Sequence, residues 1–147
     1  MVIKIDLTNS FDRVRHSFLF EVLSRLYFDY IFRKWIKACI GELWITPLVN
    51  GRAAEFFKVT RGLRQGCPLS PLLYVLQALV LSLLLDRKRQ YQELMGIRMT
   101  RVVQKINHAQ FADDTLLLGG PSTLVVSGFK AVLDHYCSIS GSKVNLG

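Results

Sequence analysis

From Met1 to Leu7 apolar and polar residues alternate, and the β-branched content makes this segment a strand with Asp6 near its C-terminal end. The period then lengthens. Leu19, Val22, Leu23 and Leu26 share one face of a helix predicted over Ser17 to Leu26. A second helix, Tyr30 to Ile40, sets Ile31, Trp35 and Cys39 at four-residue steps, with Arg33 and Lys37 on another face that is either solvated or near a phosphate backbone. Trp44 to Val49 and Glu55 to Val59 flank Asn50-Gly51, a dipeptide that supplies positive φ in a tight turn, so they predict a hairpin. A loop rich in Gly, Arg and Pro spans Arg61 to Pro71, and the apolar run Leu72 to Leu85 after it reads as a core helix. Gln90 to Arg101 is polar, with a short strand expected around Gly96-Ile97-Arg98. His108 to Phe111 and Thr115 to Leu118 predict a second hairpin with Asp113 and Asp114 at its tip. Ser122 then caps a helix whose apolar face is Val125, Val126, Phe129, Val132, Leu133 and Tyr136. Gly141 ends it, and Lys143 to Leu146 forms a last short strand.

Mixed strands and helices joined by hairpins define an α+β fold, an antiparallel sheet backed by helices, as one domain over residues 1–147. No repeat, low-complexity tract or linker interrupts it. Half the residues are hydrophobic, which argues against disorder, and 19 Lys and Arg against 11 Asp and Glu give a net charge of +8. Such a balance suits a polyanion, nucleic acid being the commonest, or a solvated basic surface. Cys39, Cys67 and Cys137 are odd in number and widely spaced, giving neither a metal-ligand pattern nor a disulfide framework; a reducing, intracellular setting is expected. His16, His108 and His135 are scattered and suggest no zinc site. No signal peptide is recognisable, and Leu72 to Leu85 is shorter than the ~20 residues that span a bilayer, so no membrane partner is expected.

Phe111-Ala112-Asp113-Asp114 is the most telling stretch. Adjacent carboxylates at a hairpin tip are either an ordinary solvated turn or an anionic site for a divalent cation. Asp6, at the end of its own strand, offers a third carboxylate if the first strand pairs beside this hairpin. Three carboxylates on a rigid sheet can hold two divalent ions about 3.5–4 Å apart, the clamp for an in-line phosphoryl displacement. Mg²⁺ suits all-oxygen ligands completed by substrate phosphates and water.

Four segments in order carry a family likeness. Ile5-Asp6-Leu7-Thr8-Asn9-Ser10-Phe11-Asp12-Arg13-Val14 resembles the first catalytic motif of reverse transcriptases, and Arg61-Gly62-Leu63-Arg64-Gln65-Gly66-Cys67-Pro68-Leu69-Ser70-Pro71 their second palm motif. Phe111-Ala112-Asp113-Asp114 is similar to the third, and Ser140-Gly141-Ser142-Lys143-Val144-Asn145 to the start of the fourth. The likeness is strongest to non-LTR (LINE-type) retrotransposons, particularly those of plants, and covers essentially the whole chain; order and spacing give it a specificity no single motif has.

The resemblance implies a polymerase palm with fingers and thumb largely missing, and RNA-directed DNA synthesis from an RNA template, a DNA primer and dNTPs with two Mg²⁺ ions, for which Mn²⁺ would substitute. Asp6, Asp113 and Asp114 would be the catalytic carboxylates, with the Leu7 carbonyl helping to bind the nucleotide-side metal. Phe11 would be the sugar gate, excluding a 2′-hydroxyl by its bulk; its other reading is core packing. Gln65 and Gly66 would lie against the incoming nucleotide and template. Arg61 and Arg64 contact phosphate or belong to a solvated loop, and Lys143 serves the leaving pyrophosphate or is an ordinary exposed lysine. Asp12 is read as structural. Asn9 and Ser10 stand where related elements usually carry Lys and Ala.

The resemblance also sets the competing readings. The upstream fingers segment and the downstream primer grip and thumb are expected to lie outside this chain, as are any endonuclease, RNase H or zinc knuckle. An RNA-dependent RNA polymerase would typically show Gly-Asp-Asp and a polar sugar-recognition residue, where this chain has Ala-Asp-Asp and Phe11. The non-enzymatic alternative is a truncated retroelement remnant that only binds nucleic acid. The expected location is nucleus, cytoplasm or both; oligomeric state is left open.

Overall fold

The structure is a computed structural model that describes residues 1–41, 43–98 and 105–145. Its elements are β1 (Val2–Ile5), α1 (His16–Arg25), α2 (Tyr30–Ile40), β2 (Trp44–Ile45), β3 (Leu48–Val49), β4 (Arg52–Ala53), β5 (Phe57–Lys58), α3 (Ser70–Gln90), β6 (His108–Phe111), β7 (Asp114–Leu118) and α4 (Thr123–Ser140). The expected mixture of helices and small antiparallel sheets is present.

The central sheet has the order β1-β7-β6, antiparallel throughout, so the first strand does pair beside the Asp-Asp hairpin. Ile3 pairs with Leu117 and Ile5 with Thr115. Alternation sends Ile3, Ile5 and Leu117 into a core with Leu81 and Leu85 of α3 and Phe129, Leu133 and Tyr136 of α4. Val2 and Leu116 face away and are exposed. A second core lies between α1, α2 and the start of α3, built on Leu19, Leu23, Ile36, Ile40, Leu63, Leu73 and Tyr74. Helix α3 therefore threads both cores.

Several boundaries differ from the sequence reading. The helix seen in Leu72 to Leu85 runs over 21 residues, because Asp86 to Gln90 continue it with polar side chains. By length and composition it is long enough to cross a bilayer, yet Leu73, Tyr74, Gln77, Leu81 and Leu85 pack inside the domain at three- and four-residue steps. On α2 the stripe Ile31, Trp35 and Cys39 is exposed, and the helix instead buries Ile36 and Ile40. Both sets have helical spacing, and only the position of α1 selects between them. The Trp44 to Val59 hairpin is split. Asn50-Gly51, both at positive φ, closes β3 on β4, while β2 pairs separately with β5 beyond Pro47, which has no N–H to give the ladder. Gly96-Ile97-Arg98 forms a single bridge, Ile97 to Ile106, and residues 99–101 of that stretch lie outside the described residues. Val126 on α4 is exposed, unlike Phe129, Val132, Leu133 and Tyr136 on the predicted face. The last strand is reduced to a bridge between Val144 and Leu7; Leu146 lies outside the described residues.

Candidate active site

Asp6 lies one residue past β1, where the chain changes neighbours. Lys143 to Asn145 takes up the free edge: the Thr8 N–H donates to the Lys143 carbonyl at 2.9 Å, and the Asn145 N–H donates to the Asp6 carbonyl at 2.9 Å. That pairing spends the groups flanking Leu7 and directs the Leu7 carbonyl to the other side. Asn145 also donates its side-chain amide to Asp6 Oδ2 at 3.0 Å.

Segment 143–145 is held there by the end of α4. Gly141 terminates the helix in the left-handed region at φ +84°, and a Cβ on it would come within 2.8 Å of the Arg13 carbonyl and 2.7 Å of the Arg15 side chain. The last turn of α4 has no basic residue of its own. Arg13 donates instead to the Gly141 carbonyl at 3.2 Å and Arg15 to the Ser138 carbonyl at 2.8 Å, capping the negative end of the helix from the loop after Asp6.

Phe111 pairs with Asp114 around Ala112 and Asp113, so the two acids are divided between turn and strand. Ala112 sits at φ +52°, the sign a two-residue hairpin turn needs and one alanine rarely adopts. Asp113 in the turn lines an open, mostly polar cavity of about 430 Å³ together with Asp6, Phe11, Gln65 and Asn145. That volume lies in the range of small-molecule sites. Asp114, on β7, points its Oδ2 at Lys4 Nζ, 3.0 Å away, and does not line the cavity. Among the described residues no three His, Cys, Asp or Glu side chains stand close enough to hold one metal ion together. The expected convergence of three carboxylates is thus met by two in the cavity, with the third turned to a lysine on the neighbouring strand.

Gln65 reaches the cavity because its loop is tied to the loop after Asp6. Leu63 N–H donates to the Phe11 carbonyl at 2.9 Å, Gly62 N–H to the Val14 carbonyl at 2.8 Å, and Arg15 and Arg61 form a bridge. Buried His16 adds a 2.8 Å hydrogen bond between its Nε2 and the Gly62 carbonyl. Gly66 is exposed at φ +81° with open space where a Cβ would be, so its backbone conformation, not crowding, calls for glycine here. Arg61 and Arg64 are exposed and stand outside the cavity lining. Lys143 is exposed too, and it borders the apolar crevice with Ile3, Ile5 and Phe129 rather than the polar cavity.

Phe11 stacks on Tyr74, with ring centroids 4.7 Å apart and planes 14° from parallel. Burial pushes the Tyr74 phenol up to about 12, the Ser10 hydroxyl opposes the shift, and the carboxylates of Asp113 and Asp6 add to it. The Cys67 thiol is held below the ordinary value, first by the Leu69 N–H and then by the Ser70 hydroxyl. Beneath the hairpin, His108 bonds Asn107 through Nδ1 at 2.8 Å and Ser82 through Nε2 at 3.0 Å, and burial lowers its pKa. Asn145, Tyr74 and His16 were missed in the sequence as site-building residues. Asn145 sat inside a quoted motif, but its partner is 139 residues away.

The family described as reverse transcriptase (RNA-dependent DNA polymerase) matches residues 1–146, and the chain belongs to that family. Among its relatives, the Pol polyprotein of the type-1 retrotransposable element R2 of Popillia japonica is 32% identical over 138 residues, 92% of this chain and 18% of its own length. The transposon TX1 149 kDa protein of Xenopus laevis is 31% identical over 143 residues, 97% of this chain and 10% of that protein. An uncharacterized mitochondrial protein of Arabidopsis thaliana is 46% identical over 76 residues, 52% of this chain and 62% of that one. The chain therefore spans from a tenth to about three-fifths of the length of these relatives. The non-LTR affinity expected from the motifs stands. In fold, the chain is similar to telomerase from Candida albicans, with a TM-score of 0.67 at 15% identity over 98% of this chain and 26% of that one.

Proposed function

We propose that this domain, residues 1–147, is the palm of an RNA-directed DNA polymerase of a LINE-type retroelement, built to join dNTPs to a DNA primer on an RNA template. The observation that carries the reading is one cavity shared by Asp6, Asp113, Phe11 and Gln65, drawn from three separate motifs. Its donors are oxygens, the chemistry Mg²⁺ prefers. Asp6 and Asp113, with the Leu7 carbonyl, would hold the metal. Asp114 would join them on leaving Lys4, since an exposed ion pair of this kind is worth only ~0–1 kcal/mol. When bound, the ions lower the pKa of a primer 3′-hydroxyl and offset charge on the leaving pyrophosphate. Phe11 presents its ring where a ribose 2′-hydroxyl would fall, Gln65 offers an amide to sugar or base, and Arg61 and Arg64 meet the nucleic-acid backbone from the rim. Lys143, exposed beside the crevice, is assigned to the leaving pyrophosphate.

The test is metal-directed cleavage of the chain. Fe²⁺ with peroxide is expected to cut the backbone near Asp6 and Asp113, Mg²⁺ to suppress the cuts, and Asp113→Asn to abolish them. Cleavage unchanged by that substitution sinks the metal assignment. Primer extension on poly(rA)/oligo(dT) with Mg²⁺ then asks whether the chain turns over unaided. A second reading, a remnant that binds nucleic acid without catalysis, is favoured by the pairing of Asp114 with Lys4 away from the cavity. Metal-dependent cleavage together with no extension, even at high Mn²⁺, supports it.

A further inference from the structure

The face-to-face stack on Tyr74 is only part of what holds the Phe11 ring. Tyr74 is 3% exposed and belongs to the second core, against which Phe11 packs. The Phe11 backbone is already fixed by the Leu63 N–H on its carbonyl. What remains free is the rotation of the ring about its own bonds, and the stack removes that.

We propose that Tyr74 is a positioning residue that fixes the depth of the Phe11 ring in the cavity, and so sets how strictly the site rejects nucleotides bearing a 2′-hydroxyl. The proposal rests on the reading of Phe11 as the sugar gate. A gate of this kind works by filling volume, and a ring able to turn or retreat by a fraction of an ångström yields to one extra oxygen. Tyr74 acts through Phe11 and touches no substrate.

Binding of dATP and ATP to the intact chain, in Ca²⁺ so that no turnover intervenes, tests the stack through the ratio of the two dissociation constants. The unsubstituted chain is expected to prefer dATP. Tyr74→Leu removes the stack and should cut that preference roughly threefold to tenfold, through tighter ATP binding with dATP little changed. Tyr74→Phe keeps the ring and should leave the preference close to that of the unsubstituted chain. Without nucleotide, the ring resonances of labelled Phe11 should shift in Tyr74→Leu. If Tyr74→Leu does not fold, Tyr74→Met, whose longer side chain reaches further into the core, carries the comparison. An unchanged preference in a folded variant that lacks the ring, where Phe11→Val does erase it, overturns the positioning role and leaves the gate standing. A preference that survives Phe11→Val, or no nucleotide binding at all, overturns the gate and this proposal together.

Discussion

Asn145 ties Asp6 at both its backbone and its carboxylate, and that is the firmest restraint on either cavity acid. A carboxylate steered by an amide N–H presents a defined oxygen to a cation, and partners of this kind commonly govern metal affinity by 10- to 100-fold. Asn145→Ala is therefore expected to weaken Mg²⁺ binding at least several-fold, read by titration of the Asp6 carboxyl resonance, with only ~1 kcal/mol lost from stability. Equal affinity in the variant would reduce Asn145 to a strand contact. Asp6, Asp113, Phe11 and Gln65 were legible from the sequence because each lies inside a short motif with its own spacing. Asn145 was quoted in a motif, yet its task depends on which edge the chain's end takes. Lys4 was hidden for a similar reason. It is one of many surface lysines until β1 pairs with β7 and brings it to Asp114. Ala112 shows a different limit: nothing local announces that alanine will take φ +52°, because the paired strands impose it.

Periodicity recovered α1 and α4 closely because each buries a stripe against the sheet or another helix, the apolar run of α3 gave its middle but not its ends, and Gly141 marked the end of α4 correctly. On α2 it gave the bounds but the wrong face, because two stripes were available, and it failed on the β2–β5 region, whose short strands are all exposed and carry no inside-outside contrast. Capping was illegible at one point that matters: α4 takes Arg13 and Arg15 from across the domain because its own last turn lacks a cation. The start of α3 is legible in chemistry. Cys67 lies just before the helix, and the N–H of Leu69 stabilises its thiolate, whereas burial raises the thiol of Cys137 on α4. Alkylation by iodoacetamide at pH 7, followed by peptide mass spectrometry, should label Cys67 well before Cys137. Lowering the pH should slow Cys67 less, since more of it remains thiolate. Equal rates would mean that the loop carrying Gln65 and Gly66 does not hold its helix-start conformation.

At the scale of the molecule, the net charge of +8 does not say where the basic groups stand or what they hold. Arg13 and Arg15 are engaged with α4, Arg33 donates to Ser24, and Lys4, Arg25 and Lys88 each pair with an acid. Net charge does not say which cations are already engaged, so composition points toward a polyanion only in outline. Buried titratable groups give the whole fold a pH signature instead. Tyr74 sits in one core and Tyr136 in the other, and burial raises both phenols, Tyr74 to about 12. Their folded values lie above the unfolded ones, so the stability they contribute is complete below pH ~10 and is lost as pH climbs toward 12, on the order of 2–3 kcal/mol for Tyr74. His108 has the opposite sign. Burial depresses it, so its contribution is complete above pH ~6.5 and falls as acid protonates the unfolded chain more readily than the folded one. Urea denaturation from pH 5 to 11.5 should trace a plateau between roughly pH 7 and 10 with losses on both sides. Tyr74→Phe, which cannot ionise, should recover much of the alkaline loss while leaving the acid limb unchanged. An alkaline limb identical in that variant would mean that the phenol beside Phe11 is solvated, and the close stack of the two rings would go with it.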